Sequence, residues 1–179
     1  MRSELTYQPL AARFSNSGWG RPLRIFICGT AIFLILIQLP VIRHYLLTPL
    51  AFALAWLLNG ILTVLGEPVH QLGTLIIGPA INMEITPACT GLYQISFLWI
   101  AILSWPAPGS KRLSGFVHGA LFLLILNIFR IISIYYGALL FPSWIPFFHD
   151  IFWEGVMILM VPFVCLMWMK HLPLPVSSE

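Results

Sequence analysis

The sequence predicts an all-α transmembrane bundle of about four spanning helices, one interfacial or re-entrant helix and a small extracytoplasmic β-hairpin. Three observations predict it. Of 179 residues, 59% are hydrophobic and 8% charged, against about 45–50% and about 25% in soluble domains. Apolar runs of roughly 20 residues recur along the chain, long enough for a hydrocarbon core of about 30 Å. The basic residues cluster between these runs. Arg2, Arg13, Arg21 and Arg24 precede the first run, Lys111 and Arg112 occupy a short loop, and Lys170 and His171 follow the last. Such clusters mark cytoplasmic flanks. They form no basic stripe, so the lipid bilayer is an expected partner and nucleic acid is not.

Taken in order, residues 1–22 read as a cytoplasmic tail, 23–170 as one transmembrane domain and 171–179 as a second cytoplasmic tail. Residues 23–42 give the first spanning helix, a retained anchor because no small-residue cleavage site clearly follows. Residues 46–66 give the second helix. Thr48 and Pro49 supply a start signal, and Gly66 a stop. Thr48, Ala55, Asn59 and Thr63 share a narrow arc, so this helix is weakly amphipathic. Glycines and prolines punctuate 67–88. The runs 74–77 and 81–85 flank Gly78-Pro79 and predict a hairpin, which cannot lie bare in hydrocarbon. Residues 90–106 and 114–138 are further spans, the latter containing Asn127 and Arg130. Residues 141–150 predict an aromatic loop at headgroup level. Residues 151–169 form the last helix, with Pro162 as a kink.

Charge placement selects the crossing number. If all five helices cross, the N-terminal arginines and the Lys111-Arg112 loop face opposite sides. If 46–66 lies in the interface or re-enters, every basic cluster is cytoplasmic and Arg43 is the single exception. Four crossings are therefore expected, with both termini inside. Cys89, Arg130 and His149 then share one depth at the outer face, and the five-crossing alternative also keeps them together.

Among Cys28, Cys89 and Cys165 there is no zinc, haem or CxxC spacing, and no metal or organic cofactor is expected. A charge inside a membrane helix costs about 2.5–3.5 kcal/mol on insertion scales. Arg130 is therefore functional or paired, with Glu154 and Glu84 as candidate partners. Cys89 opens a helix, and a helix N-terminus, an arginine and a histidine all favour its thiolate. A histidine can move the thiol proton, and an arginine can hold a developing oxyanion. Asp150 is expected to cap the last helix rather than orient the adjacent His149 ring. His118 and His171 fall on the cytoplasmic side. His44 and His70 fall outside and stay open as alternatives. A different class of reading also stands: a non-enzymatic membrane assembly or scaffold protein in which Arg130 is merely ion-paired.

Ala88-Cys89-Thr90-Gly91-Leu92 resembles the Ala-Cys-Ser-Gly-Leu motif of the exosortase/archaeosortase family. Asn127-Ile128-Phe129-Arg130-Ile131 is similar to that family's Asn-x-x-Arg-Ile/Val segment. His149, before the last helix, matches its third signature residue. The order agrees, and a basic loop separates the first two motifs. Thr90 replaces the usual serine and keeps the hydroxyl. The resemblance covers about residues 60–170 and points to compact, type-H-like members. It implies a membrane cysteine transpeptidase or protease acting just outside the membrane; the host is open between bacterial and archaeal, with a bacterial inner (cell) membrane as the expectation. It implies substrates bearing a C-terminal tail of short motif, hydrophobic helix and basic cluster. Cys89 would be the nucleophile, His149 the base and acid, and Arg130 the oxyanion or thiolate partner. Thr90, Gly91, Asn127, Glu84 and Glu154 would support them.

Overall fold

The computed structural model describes residues 20–172, so the expectations for residues 1–19 and 173–179 lie outside the described residues. Helix α1 spans Gly20–Leu36. The apolar run continues past it, but the helix does not. Leu39 is extended, as a residue before proline prefers, and Pro40 opens a new helix at its first position. A proline has no N–H to continue the preceding ladder. The expected unbroken span over 23–42 is therefore two pieces.

Residues Pro40–Ile42 and a π-helical turn, Arg43–Leu47, lead into α2, Thr48–Val64. Thr48 thus opens α2 as a continuation of a helical path that is already running, not as an N-cap. Its backbone N–H and its Oγ1, at 3.0 Å, both donate to the Arg43 carbonyl. The wider π turn accommodates Pro49, which cannot donate to the ladder. Gly66 follows the helix end with φ of 92°, a left-handed position that suits glycine.

Three short strands follow: β1 (His70–Leu72), β2 (Leu75–Ile77) and β3 (Asn82–Glu84), an antiparallel sheet in the order β1-β2-β3. The sequence pointed only to β2 and β3. Ile76 is the central residue, opposite Gln71 on one side and Met83 on the other, and it is fully buried. The sheet is covered rather than bare. Ile76, Val69 and Ile85 pack with Ala51, Leu54, Ala55, Leu58 and Leu62 of α2 and with Ile131 and Tyr135.

A 3-10 turn, Pro87–Thr90, precedes α3, Leu92–Ser104. Helix α4 spans Gly109–Leu140 and α5 spans Trp153–Lys170. The aromatic segment 141–150 is not a loop. It holds a 3-10 turn, Pro142–Trp144, and the start of a π turn, Phe147–Phe152, that runs directly into α5. Prolines at 142 and 146 precede or open these turns, where a missing N–H is tolerated.

Contacts along the helices fix their directions. Phe33 of α1 meets Tyr93 and Phe97 of α3, ring centroids 6.0 and 5.7 Å apart, while a Cβ on Gly29 would touch Ile100. Thus α1 and α3 are antiparallel. Gly91 lies on Asn127 and Gly119 on Leu98, so α3 and α4 are antiparallel as well. Arg130 pairs with Glu154, and Gly115 lies on Trp168, which makes α5 antiparallel to α4. The result brings Arg21, Arg24, Lys111, Arg112, Lys170 and His171 to one end of the bundle. Cys89 and Arg130 lie at the other, with α2 and the sheet. Among the described residues, three helical stretches have the length and composition to cross a membrane: Pro40–Val64, Gly109–Leu140 and Pro142–Lys170. Helix α3 is apolar but has only 13 residues.

Candidate active site

The Pro87–Thr90 turn carries Cys89, whose Sγ lies 3.4 Å from Thr86 Oγ1. Cys89 does not begin the α-helix, as the sequence suggested. Gly91, with φ of 72°, intervenes and turns the chain into α3. The turn is built from local chemistry. Thr90 Oγ1 donates to the Pro87 carbonyl at 2.7 Å and accepts from Leu92 N–H at 3.4 Å. A serine would offer the same two bonds. Asn127, fully buried in α4, donates from Nδ2 to the Cys89 carbonyl at 2.7 Å. A Cβ on Gly91 would sit 3.3 Å from the Asn127 side chain. Gly91 is therefore required twice, by backbone conformation and by close approach. Asn127 and Gly91 together lock the cysteine turn onto α4.

Arg130 stands one turn further along α4, 4% exposed. Its Nη2 lies 3.5 Å from Glu154 Oε2, and its Nε has no partner among the described residues. Of the two expected partners, Glu154 is the one found. Glu84 is exposed on β3, where it registers with Leu75. Glu154 is about half exposed, so the pair is loose, and much of the guanidinium's hydrogen-bonding capacity is unspent.

His149 sits in the π turn ahead of α5. Its Nδ1 is 2.6 Å from Asp150 Oδ1. The expectation that Asp150 could not orient the neighbouring ring is wrong. The π turn begins before Asp150, so this carboxylate does not cap α5 either. A carboxylate only accepts, so Nδ1 carries the hydrogen and Nε2 is the basic nitrogen.

Cys89, Arg130 and His149 come from three separate elements and line one cavity of about 830 Å³. Ligand pockets run to about 300–1,000 Å³. Thr86, Glu154, Gln94 and Thr30 are further polar residues that line it. Beyond them the walls are apolar, with Phe26, Phe97, Ala101 and Pro162. Sequence reasoning missed Thr30, Thr86 and Gln94. The available signal was polarity within apolar runs, which in a membrane helix points to function. His118 and His171 instead line a second cavity of about 440 Å³ at the basic end, with Lys111 and Trp168. No group of three metal-ligating side chains occurs among the described residues.

Fold and cavity define an integral membrane protein with a cysteine-bearing site at one end of a helical bundle. Residues 10–168 match the model of the transmembrane exosortases (Exosortase_EpsH), and the chain belongs to that family. Its members are generally cysteine transpeptidases. The chain is also 30% identical over 95 residues to a probable archaeosortase E of Methanocaldococcus jannaschii. That alignment covers 51% of this chain and 50% of the relative, so the match spans about half the length of each. No solved structure matches the chain.

Proposed function

We propose that this protein is a cysteine peptidase or transpeptidase that removes C-terminal sorting tails from exported proteins at the outer face of the cell membrane. The observation that carries the reading is the convergence of Cys89, Arg130 and His149 on one cavity. His149 Nε2 takes the Cys89 thiol proton, and Sγ attacks the scissile carbonyl carbon. Arg130 donates to the oxyanion. The C–N bond breaks, His149 returns the proton to the leaving amine, and the tail departs. An amine acceptor or water then attacks the thioester and restores the thiol. The substrate's own hydrophobic helix would present the scissile bond at the depth of Cys89, and confinement to the membrane raises its local concentration.

The antiparallel bundle supports four crossings, α1, α3, α4 and α5, with the basic end in the cytoplasm. Helix α2 packs on the sheet and on Ile131 and Tyr135, near the Cys89 end alone, which supports an interfacial place for it.

The Arg130–Glu154 contact favours the second reading, a scaffold protein, and Cys89→Ala separates the two. The mass of the C-terminal region of a tail-bearing surface protein is followed in cells carrying either form. Wild type should remove the tail, and Cys89→Ala should leave it intact while accumulating equally in the membrane. Equal processing by both would defeat the nucleophile assignment. Failure of both with every co-encoded tail-bearing protein would favour the scaffold.

A further inference from the structure

Gln94 lies on the first turn of α3, facing the same cavity as Cys89. It is 7% exposed, and its Oε1 has no hydrogen-bond partner among the described residues. Thr30, on α1 across the cavity, has a buried Oγ1 in the same condition. Arg130 Nε is the third such atom on these walls. Unpaired polar atoms are uncommon in folded proteins and call for an explanation each time. Three on residues that line one cavity call for a shared one.

A peptide bond cannot be attacked while its segment stays helical, because neighbouring turns cover the carbonyl carbon. Unwinding it at the membrane face frees backbone N–H and C=O groups where little water can reach them. In lipid such groups must find protein partners. A side-chain amide both donates and accepts, so it can hold a peptide N–H and C=O together, and a hydroxyl can do the same more weakly.

We propose that Gln94 and Thr30 form a backbone-recognition subsite, holding the unwound stretch of a substrate tail between the scissile bond and its hydrophobic helix. This rests on the acyl-transfer reading above. The subsite reads main chain rather than side chains. It would therefore tolerate varied residues in that stretch while demanding that it be extended. Gln94 is here a positioning residue and its unpaired state in the free protein is part of its role, as polar groups left unpaired are satisfied only when substrate arrives.

The test is Gln94→Met, which keeps length and volume while removing the amide. It uses full-length protein in lipid nanodiscs and a tail-bearing protein that the wild type cleaves. We expect KM to rise roughly tenfold with kcat little changed, the effect of one lost hydrogen-bonding group. Thermal stability should hold or increase, since a buried unpaired amide has been removed. Thr30→Val should give a smaller rise in KM. The proposal is overturned if KM is unchanged, or if Gln94→Met lowers the melting temperature, because Gln94 would then be a structural group satisfied within the protein. Cys89→Ala serves as the control: cleavage by that variant defeats the acyl-transfer reading itself, whereas its inactivity beside an unaltered Gln94→Met defeats only the subsite.

Discussion

The two ends of the bundle are held together by different forces. At the basic end, α4 meets α5 through glycines. A Cβ on Gly115 would overlap the Trp168 indole, and one on Gly119 would press on Leu98 and Val164. The indole then donates to the Lys111 carbonyl at 2.8 Å. Small residues let helices approach closely, the main source of helix association in lipid. A cavity of about 440 Å³ borders these glycines, whereas at the Cys89 end the same two helices meet through a loose ion pair beside a cavity of about 830 Å³. Among the described residues, buried polar atoms of Thr30, Gln94, Asn127 and Arg130 are unpaired there, against Arg112 Nε at the basic end. Close helix approach through small residues thus marks one end and a greater share of unpaired buried polar atoms the other, the pattern expected where a candidate site breaks local rules.

This contrast can be broken or sharpened by substitution. The largest effect should follow Arg130→Gln, which removes the charge proposed to face the developing oxyanion. Tail cleavage should fall about 10²–10³-fold, measured as kcat/KM, with a modest change in melting temperature because Glu154 is half solvated. A fall in stability that matches the loss of activity would make Arg130 a structural residue and erase the difference between the ends. Gly115→Ala should act the other way. It should cost about 1–3 kcal/mol of stability through overpacking and leave kcat/KM of the remaining folded protein close to wild type. Should it abolish turnover without destabilising, the basic end would prove coupled to the chemistry. The smallest effect should be that of Asp150→Ala. Both members of the His149–Asp150 pair are substantially exposed, and such pairs contribute about 0–1 kcal/mol. The expected loss in kcat/KM is therefore less than roughly tenfold.

Cys89, Asn127 and Arg130 stood out in the sequence because their chemistry is unusual for their surroundings, whereas His149 stood out through the family resemblance. An arginine and an asparagine one turn apart in an apolar helix have few roles, and a cysteine beside a glycine after a proline stands outside the runs. What sequence missed was geometry without composition. The apolar run through Leu36 and Pro40 reads as one span, because hydropathy does not register a missing N–H. The prolines at 142 and 146 read as a loop, because a π turn that takes such residues into a helix has no signature of its own. Asp150 was set aside because it directly follows His149 and reads as a helix cap. Strand β1 carries His70 and Gln71, which show no strand-like apolar alternation, and pairing with β2 rather than propensity makes it a strand.

Helix α3 has one more consequence. Thirteen residues rise about 20 Å, some 10 Å less than an average hydrocarbon core. In the proposed four-crossing arrangement a span that short would create hydrophobic mismatch, so lipid beside it would thin or the helix ends would be sheathed by protein. The cysteine turn stands at one end of this helix. The depth at which a thiol meets water is then set jointly by the chain and by the acyl length of its host membrane.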